Sequence, residues 1–181
     1  MTFIIHKATE KDVPALASIH VAGWQGAYGG VIDQGYIDAQ TVDSRTEEWR
    51  EWLLDETTSH LLAFKEGKPV GFISYGALRT PPPGTSKIRP LYSSEIYGVY
   101  LLPENFRQGI GTSLLKEAVS DLIIQKHQSL CLWVLEKNMR GRGFYEKMGG
   151  QRVGKKMVEF GPTKAKELCY GWRNISEILE K

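Results

Sequence analysis

The stretch SEIYGVYLLPENFRQGIGTSLLKEAV, residues 94–119, decides the fold. Its opening run, 94–102, is strongly apolar and reads as a buried strand, which Pro103 stops. Gly109-Ile110-Gly111 then opens a helix that carries Leu114, Leu115, Ala118 and Leu122 on one face and runs to about Lys126. A helix start presents N–H groups with no intrahelical partner and the positive end of the peptide dipole. Glycines there let ligand oxygens approach the backbone. The combination is an anion site suited to phosphate or pyrophosphate. Arg107 and Gln108 add donors at its rim, and Thr112 adds a hydroxyl. The competing reading is a glycine-containing strand–helix turn that binds nothing. Two familiar phosphate motifs are excluded. GxGxxG fails because Leu114 stands at the third glycine position, and the Gly-Lys-Ser/Thr ending of a Walker loop is absent.

The next informative stretch is LWVLEKNMRGRGFYEKMGG, residues 132–150. A buried strand over 129–135 ends shortly before Asn138, and a short helix to Met148 is stopped by Gly149-Gly150. Asn138 either hydrogen-bonds amides of a ligand beyond the strand end or caps the helix. Tyr145 either places its hydroxyl over a reacting atom or packs as an ordinary helix aromatic. RGFYEKM (142–148) superficially matches an RNA-binding strand, but it lacks the aromatic alternation and sits in a helical context.

Working outward, residues 3–8 read as a first strand, and Thr9 to Asp12 as a capping box with Asp in place of Glu. Pro14 fits only near a helix start, and Val13, Leu16, Ile19, His20 and Gly23 recur at helical spacing up to Gly29-Gly30. Further helical stretches lie near 33–39 and from Ser44 to about Asp55, the latter with Trp49, Trp52 and Leu53 on one side. Residues 60–78 read as a hairpin turning at Glu66-Gly67-Lys68. The Pro-rich connection 79–93 is long for a compact domain, so it is either functional or mobile. Two last strands are expected around 151–160 and 166–173. Only part of such a sheet can be parallel, so the class is mixed α/β, a central mixed sheet flanked by helices and not doubly wound.

The chain has 181 residues, which suits one domain spanning 1–181. Its 23 Lys+Arg against 21 Asp+Glu leave a net charge of +2, too balanced to argue for nucleic acid or an anionic membrane. No run of about eighteen apolar residues exists to span a bilayer. The opening MTFIIHKATEKD lacks the features of a secretory signal, so a cytoplasmic location is expected. Cys131 and Cys169 sit in strand-like runs and read as buried free thiols; alone they supply neither a disulfide framework nor a zinc site. His6, His60 and His127 show no metal spacing, and His20 on an apolar helix face reads as a core histidine. No metal is expected.

Taken together, 94–119 and 132–150 resemble the GNAT superfamily of acetyl-CoA-dependent N-acetyltransferases. The order strand, Pro, glycine turn, helix, strand, Asn, helix with Phe-Tyr, Gly agrees with that family. IHVAGWQGAYGGVI (19–32) and RTEEW (45–49) also look like bacterial members that act on small molecules or peptides. The resemblance implies a GNAT-like acyl-CoA N-acyltransferase fold and a set of roles. Val99, Tyr100 and Leu101 would offer backbone groups to the pantetheine arm of acetyl-CoA, in the manner of an added strand. Arg107, Gln108, Gly109, Ile110, Gly111 and Thr112 would wrap the pyrophosphate, and Asn138 would contact the pantetheine or stabilise its loop. Tyr145 would protonate or hydrogen-bond the departing thiolate. Phe106 stands where the family often has Gln or Arg, so less side-chain help is expected there, not lost binding.

The resemblance further implies acetyl transfer to a primary amine by direct attack in a ternary complex. Glu95, at the entry of the central strand, resembles the position the family often uses as base, and Glu136 is its rival. Trp24, Tyr28 and Trp49, with Tyr36, come from the helices that roof the acceptor side in this family, where they could favour a cationic amine or simply pack. Cys131, mid-strand, is unsuited to carrying an acyl group. The alternative function is a non-catalytic acetyl-CoA-binding sensor or regulatory module. The last strands could support a homodimer.

Overall fold

A computed structural model of the chain describes residues 2–84 and 91–181; residues 85–90, inside the Pro-rich connection, lie outside the described residues. Seven strands form one mixed sheet in the order β1-β2-β3-β4-β5-β7-β6. They are β1 (Phe3–Lys7), β2 (Thr58–Lys65), β3 (Lys68–Ala77), β4 (Ser94–Leu101), β5 (Leu130–Leu135), β6 (Gln151–Phe160) and β7 (Thr163–Trp172). The longer helices are α1 (Val13–Tyr28), α2 (Gln34–Asp38), α3 (Val42–Leu54), α4 (Ile110–Ile124) and α5 (Met139–Lys147), and a final turn α6 covers Ser176–Leu179. Single turns of 3-10 helix precede α1 at Glu10–Asp12 and α4 at Pro103–Asn105.

The expected elements are present, with small shifts at their ends. The Asp12 carboxylate accepts from the Thr9 N–H at 2.8 Å and its hydroxyl at 2.9 Å, so Asp does serve in the Glu position of the box. The hairpin turn places both Glu66 and Gly67 at positive φ, the backbone that matches the twist of paired strands. Helix α3 starts two residues before the expected Ser44. Thr41 accepts from the Ser44 N–H at 3.1 Å, so Thr41 is the cap. The turn α6 was not legible in the sequence.

The chain divides into two compact units. The first comprises Met1–Tyr75 and Gly98–Leu115. Its core brings Val13, Leu16, Ala17 and Ile19 of α1 against Trp49 of α3, Leu62 of β2 and Phe72 of β3, with Tyr100 and Leu102 packed on the rim. The second comprises Gly76–Tyr97 and Lys116–Lys181. There Tyr92, Cys131 and Cys169 are buried together with Trp133, Val153 and Leu78 beside them. Both cysteines are free and buried, as expected. Among the described residues no helix is long and apolar enough to cross a membrane, and no cluster of His, Cys, Asp and Glu has the makings of a metal site.

Candidate active site

In the first unit, the glycine turn takes the form an anion site requires. Arg107 has φ +59° and Gly109 has φ +84°, so the chain reverses within three residues and enters α4 at Ile110. A side chain is strained in that left-handed region, which suits Gly109 to its position. The first intrahelical bond is Ser113 N–H to Gly109 C=O at 3.0 Å, so the N–H groups of Ile110, Gly111 and Thr112 head the helix. Arg107 and Gly109 are exposed. Gln108 is held from two sides. Its amide nitrogen donates to the Glu104 carbonyl at 2.9 Å, and its amide oxygen accepts from Lys65 Nζ at 2.8 Å. The end of β2 therefore braces the turn. Lys65 was missed by sequence reasoning, because nothing local links it to a residue forty-three positions away.

The aromatic residues of the same unit separate into two groups. Trp24, Tyr28 and Tyr36 are half-buried, with ring centroids 4.9 Å apart for Trp24–Tyr28 and 6.2 Å for Trp24–Tyr36. The Arg45 guanidinium lies 5.4 Å from the Trp24 centroid. It also donates to Gln40 Oε1 at 2.7 Å and pairs with Glu48. Arg45 was also missed; a charged residue inside RTEEW reads as surface until the fold buries it. Trp49, by contrast, is 1% exposed and meets Phe72 edge-on at 4.9 Å and His60 at 5.1 Å. His20 sits among Trp49, Trp52, Phe72 and Tyr100. Burial and the nearby Arg45 charge lower its pKa to about 3, so it is a neutral core residue.

In the second unit, β4 pairs with β5 in parallel at Ser94↔Leu130, Glu95↔Cys131 and Ile96↔Leu132, and β4 itself runs on to Leu101. Glu95 is buried at 5% exposure. One carboxylate oxygen, Oε2, accepts from the Arg79 N–H at 2.9 Å and the Thr80 N–H at 2.6 Å. Burial pushes its pKa above the ordinary carboxylate value, opposed by those two N–H donors and by Lys156 and Arg79. Glu95 therefore clamps the start of the 79–93 connection while keeping a second oxygen. The clamp is extended by Trp133, whose Nε1–H donates to the Thr80 carbonyl at 2.8 Å, and by Tyr97, whose hydroxyl donates to the Ala77 carbonyl at 2.6 Å. Glu136 is different in kind: it is ion-paired with Lys166 at 3.2 Å with its side chain 39% exposed.

Asn138 caps α5, its Oδ1 accepting from the Gly141 N–H at 2.9 Å. Tyr145 is buried on α5 with its ring 6.3 Å from that of Tyr170. Arg142 pins the helix, donating to the Glu136 carbonyl at 3.0 Å and to the Tyr170 hydroxyl at 3.3 Å. The cap carries a prediction. Asn138→Ala should destabilise the protein by about 1 kcal/mol, the usual cost of a lost cap, which is a fall of about 2–4 °C in Tm for a chain of this size. Asn138→Ser should restore the melting temperature, since a hydroxyl also caps. A melting temperature unmoved by Asn138→Ala removes the capping role.

The fold has counterparts among known proteins. The model of the acetyltransferase (GNAT) family matches residues 30–149. The uncharacterized N-acetyltransferase YuaI of Bacillus subtilis is 27% identical over 174 residues, covering 96% of this chain and 95% of that protein. Spermidine N(1)-acetyltransferase of Thermoplasma acidophilum is 26% identical over 156 residues, covering 82% of this chain and 88% of that one. Among solved structures, the PaiA N-acetyltransferase of Thermoplasma acidophilum in complex with coenzyme A has the same fold. Its TM-score is 0.71 at 21% identity, over 94% of this chain and 98% of that one. The ribosomal-protein-alanine N-acetyltransferase of Brucella melitensis also has a TM-score of 0.71, at 23% identity, over 93% of this chain and 98% of that one.

Proposed function

The chain belongs to the GNAT acetyltransferase family, and from that membership we propose that it moves the acetyl group of acetyl-CoA directly onto a primary amine of a small molecule or peptide. One observation carries the donor assignment: β4 continues to Leu101 past its last pair with β5 and leads into a turn whose next element is a helix N-terminus. Val99, Tyr100 and Leu101 supply main-chain groups to the pantetheine arm, and residues 107–112 bind the diphosphate through helix-start N–H groups. Gln108, already held by Glu104 and Lys65, shapes the turn more than it donates to the ligand. The support for Asn138 is the capping bond, which favours the loop-stabilising half of its expected role.

An alkyl amine has a pKa of about 10.4 and is mostly protonated at neutral pH, so a group must take its proton before attack. Glu95 takes it, directly or through water, because burial already moves its carboxyl toward neutrality. Glu136 is spent on an exposed ion pair. The amine nitrogen then bonds to the thioester carbon, the C–S bond breaks, and the Tyr145 hydroxyl protonates the departing sulfur. Main-chain N–H groups near Val99–Leu101 polarise the carbonyl. Tyr28 and Tyr36 favour an acceptor with cationic character, since ring faces attract cations, while Trp24, already faced by the Arg45 guanidinium, lines the acceptor side beside them. Trp49 supports them from the core. A cytoplasmic location suits the two free thiols. Strand β6 ends the sheet order and would offer its outer edge to a second copy in a homodimer.

The test is release of free CoA thiol from acetyl-CoA with a panel of polyamines, amino acids, aminoglycosides and peptide N-termini. Turnover with any member supports the reading. CoA binding without turnover on any amine replaces it with a non-catalytic sensor. Within that assay, Tyr145→Phe should lower kcat by about 10²-fold, the low end for loss of a general acid. Acetyl-CoA affinity should hold within about twofold, because the ring remains. Unchanged turnover removes the acid role from Tyr145.

A further inference from the structure

We propose that Gly23 of α1 and Gly71 of β3 are positioning residues for the acetyl donor: lacking side chains, they let the Tyr100–Leu101 segment of β4 seat closely against both elements. The inference rests on the assignment of Val99–Leu101 to the donor. A methyl group at position 23 would lie 2.6 Å from Tyr100 Cδ1 and 3.1 Å from its Cβ. A methyl at position 71 would lie 2.8 Å from the Tyr100 carbonyl oxygen, 2.8 Å from Leu101 Cγ and 3.3 Å from Leu101 Cα. Distances under about 3 Å between carbon and a neighbouring heavy atom are not tolerated in close-packed interiors, so either side chain forces a shift.

The segment that must shift is β4, because its neighbours are held. Gly71 is followed by Phe72 and Ile73, 1% and 0% exposed, which fix β3 in the core. Gly23 follows Leu16, Ala17, Ile19 and His20 on the buried face of α1. The Tyr100 ring cannot swing aside freely, since His20 lies 4.9 Å away and Phe72 5.4 Å away, centroid to centroid. His20 remains uncharged through the neutral range, so this packing does not change with working pH. Just past the segment, the Leu102 N–H donates to the Val70 carbonyl at 2.9 Å, tying β4 to β3 one residue before Gly71. The Tyr100 carbonyl that Gly71 admits faces β3, as does the Leu102 N–H, so the alternating groups of Val99 and Leu101 face the other edge of β4 and are the ones expected to meet the pantetheine arm; seating Tyr100 against Gly71 sets their position. A displacement of a few tenths of an ångström there moves a hydrogen-bond acceptor without touching the diphosphate turn.

The experiment measures CoA affinity by calorimetry, with KM for acetyl-CoA, KM for the acceptor and kcat, on the full chain. The variants are Gly23→Ala, Gly71→Ala, Tyr100→Ala and the double Gly23→Ala/Tyr100→Ala. Gly23→Ala and Gly71→Ala are each expected to weaken CoA binding and raise KM for acetyl-CoA about tenfold, while acceptor KM and kcat move less than about threefold. A purely structural lesion would instead lower kcat and stability together without this split. In the Tyr100→Ala background the Gly23→Ala change should cost less than about threefold, because the ring atom at 2.6 Å is gone and only the Cβ contact at 3.1 Å remains. Folded Gly23→Ala and Gly71→Ala proteins with wild-type CoA affinity overturn the inference. So does a full loss from Gly23→Ala in the Tyr100→Ala background, which decides the matter even if the single glycine variants do not fold. Wild-type protein that binds no CoA would overturn the donor assignment itself and the inference with it, a result distinct from both.

Discussion

Gly111→Glu is expected to weaken CoA binding by at least about a hundredfold while leaving the fold intact or slightly stabilised. Position 111 is the second residue of α4, where the N–H groups face outward without intrahelical partners. A carboxylate there competes for those donors and faces the diphosphate. Two unit charges 4 Å apart at an effective dielectric near 20 repel by about 4 kcal/mol, and each 1.4 kcal/mol is about a factor of ten in affinity. The same carboxylate favours the helix itself, because an acid in the first turn complements the dipole by about 0.3–1 kcal/mol and Glu is a better helix former than Gly. Affinity and stability therefore move in opposite directions, which no general unfolding can produce. Gly111→Gln separates bulk from charge and should lose less. Calorimetric titration with CoA alongside thermal unfolding reads both quantities. Retained affinity in a folded Gly111→Glu protein would mean that the diphosphate does not lie at this turn.

The turn could be found from sequence because its signals are local. Pro103, two glycines and a helical spacing of leucines lie within one window, and the structure places them as that spacing predicts. The strands are legible for the same reason: runs such as LCLWVL have no other way to be buried. What was not legible depends on long-range closure. Glu95 was readable as a base candidate, but its bonds to the N–H groups of Arg79 and Thr80 span sixteen and fifteen residues across a Pro-rich connection. No pattern in that connection announces that its first residues are clamped. Arg45 and Lys65 are charged residues whose partners are chosen by tertiary packing, and charged residues default to solvent when only sequence is read. Asn138 shows the opposite case. Residue type left a cap and a ligand contact level, and the Gly141 N–H bond decides for the cap at least. Trp49 likewise had two readings, and its burial places it in the core.

Glu95→Gln should expose the conflict between catalysis and stability that the clamp creates. A buried carboxyl with a raised pKa is held there at a cost once it ionises. The sign follows from linkage. Below the unfolded pKa, about 4.3 for Glu, the acid is protonated in both states and the wild type carries no penalty. As pH rises through that value toward the higher folded value, the unfolded chain ionises first, and stability falls until the folded carboxyl ionises too. Glutamine does not titrate, and its amide oxygen can still accept from both Arg79 and Thr80. The variant should therefore melt close to wild type near pH 4 and above it near pH 8. Turnover should do the reverse. Loss of a general base costs about 10²–10⁴-fold in kcat. The acidic limb of the wild-type pH–rate profile, which reports deprotonation of this carboxyl, should vanish in the variant. CoA affinity should be nearly unchanged, since the diphosphate turn is untouched. The two readouts are independent. A stability gap that opens with pH while the acidic limb persists would leave Glu95 as a clamp and move the base elsewhere, with Glu136→Gln as the next variant to measure. A limb that vanishes without a stability gap would mean that the clamp holds the charged carboxylate at no cost, so that its N–H bonds outweigh its burial.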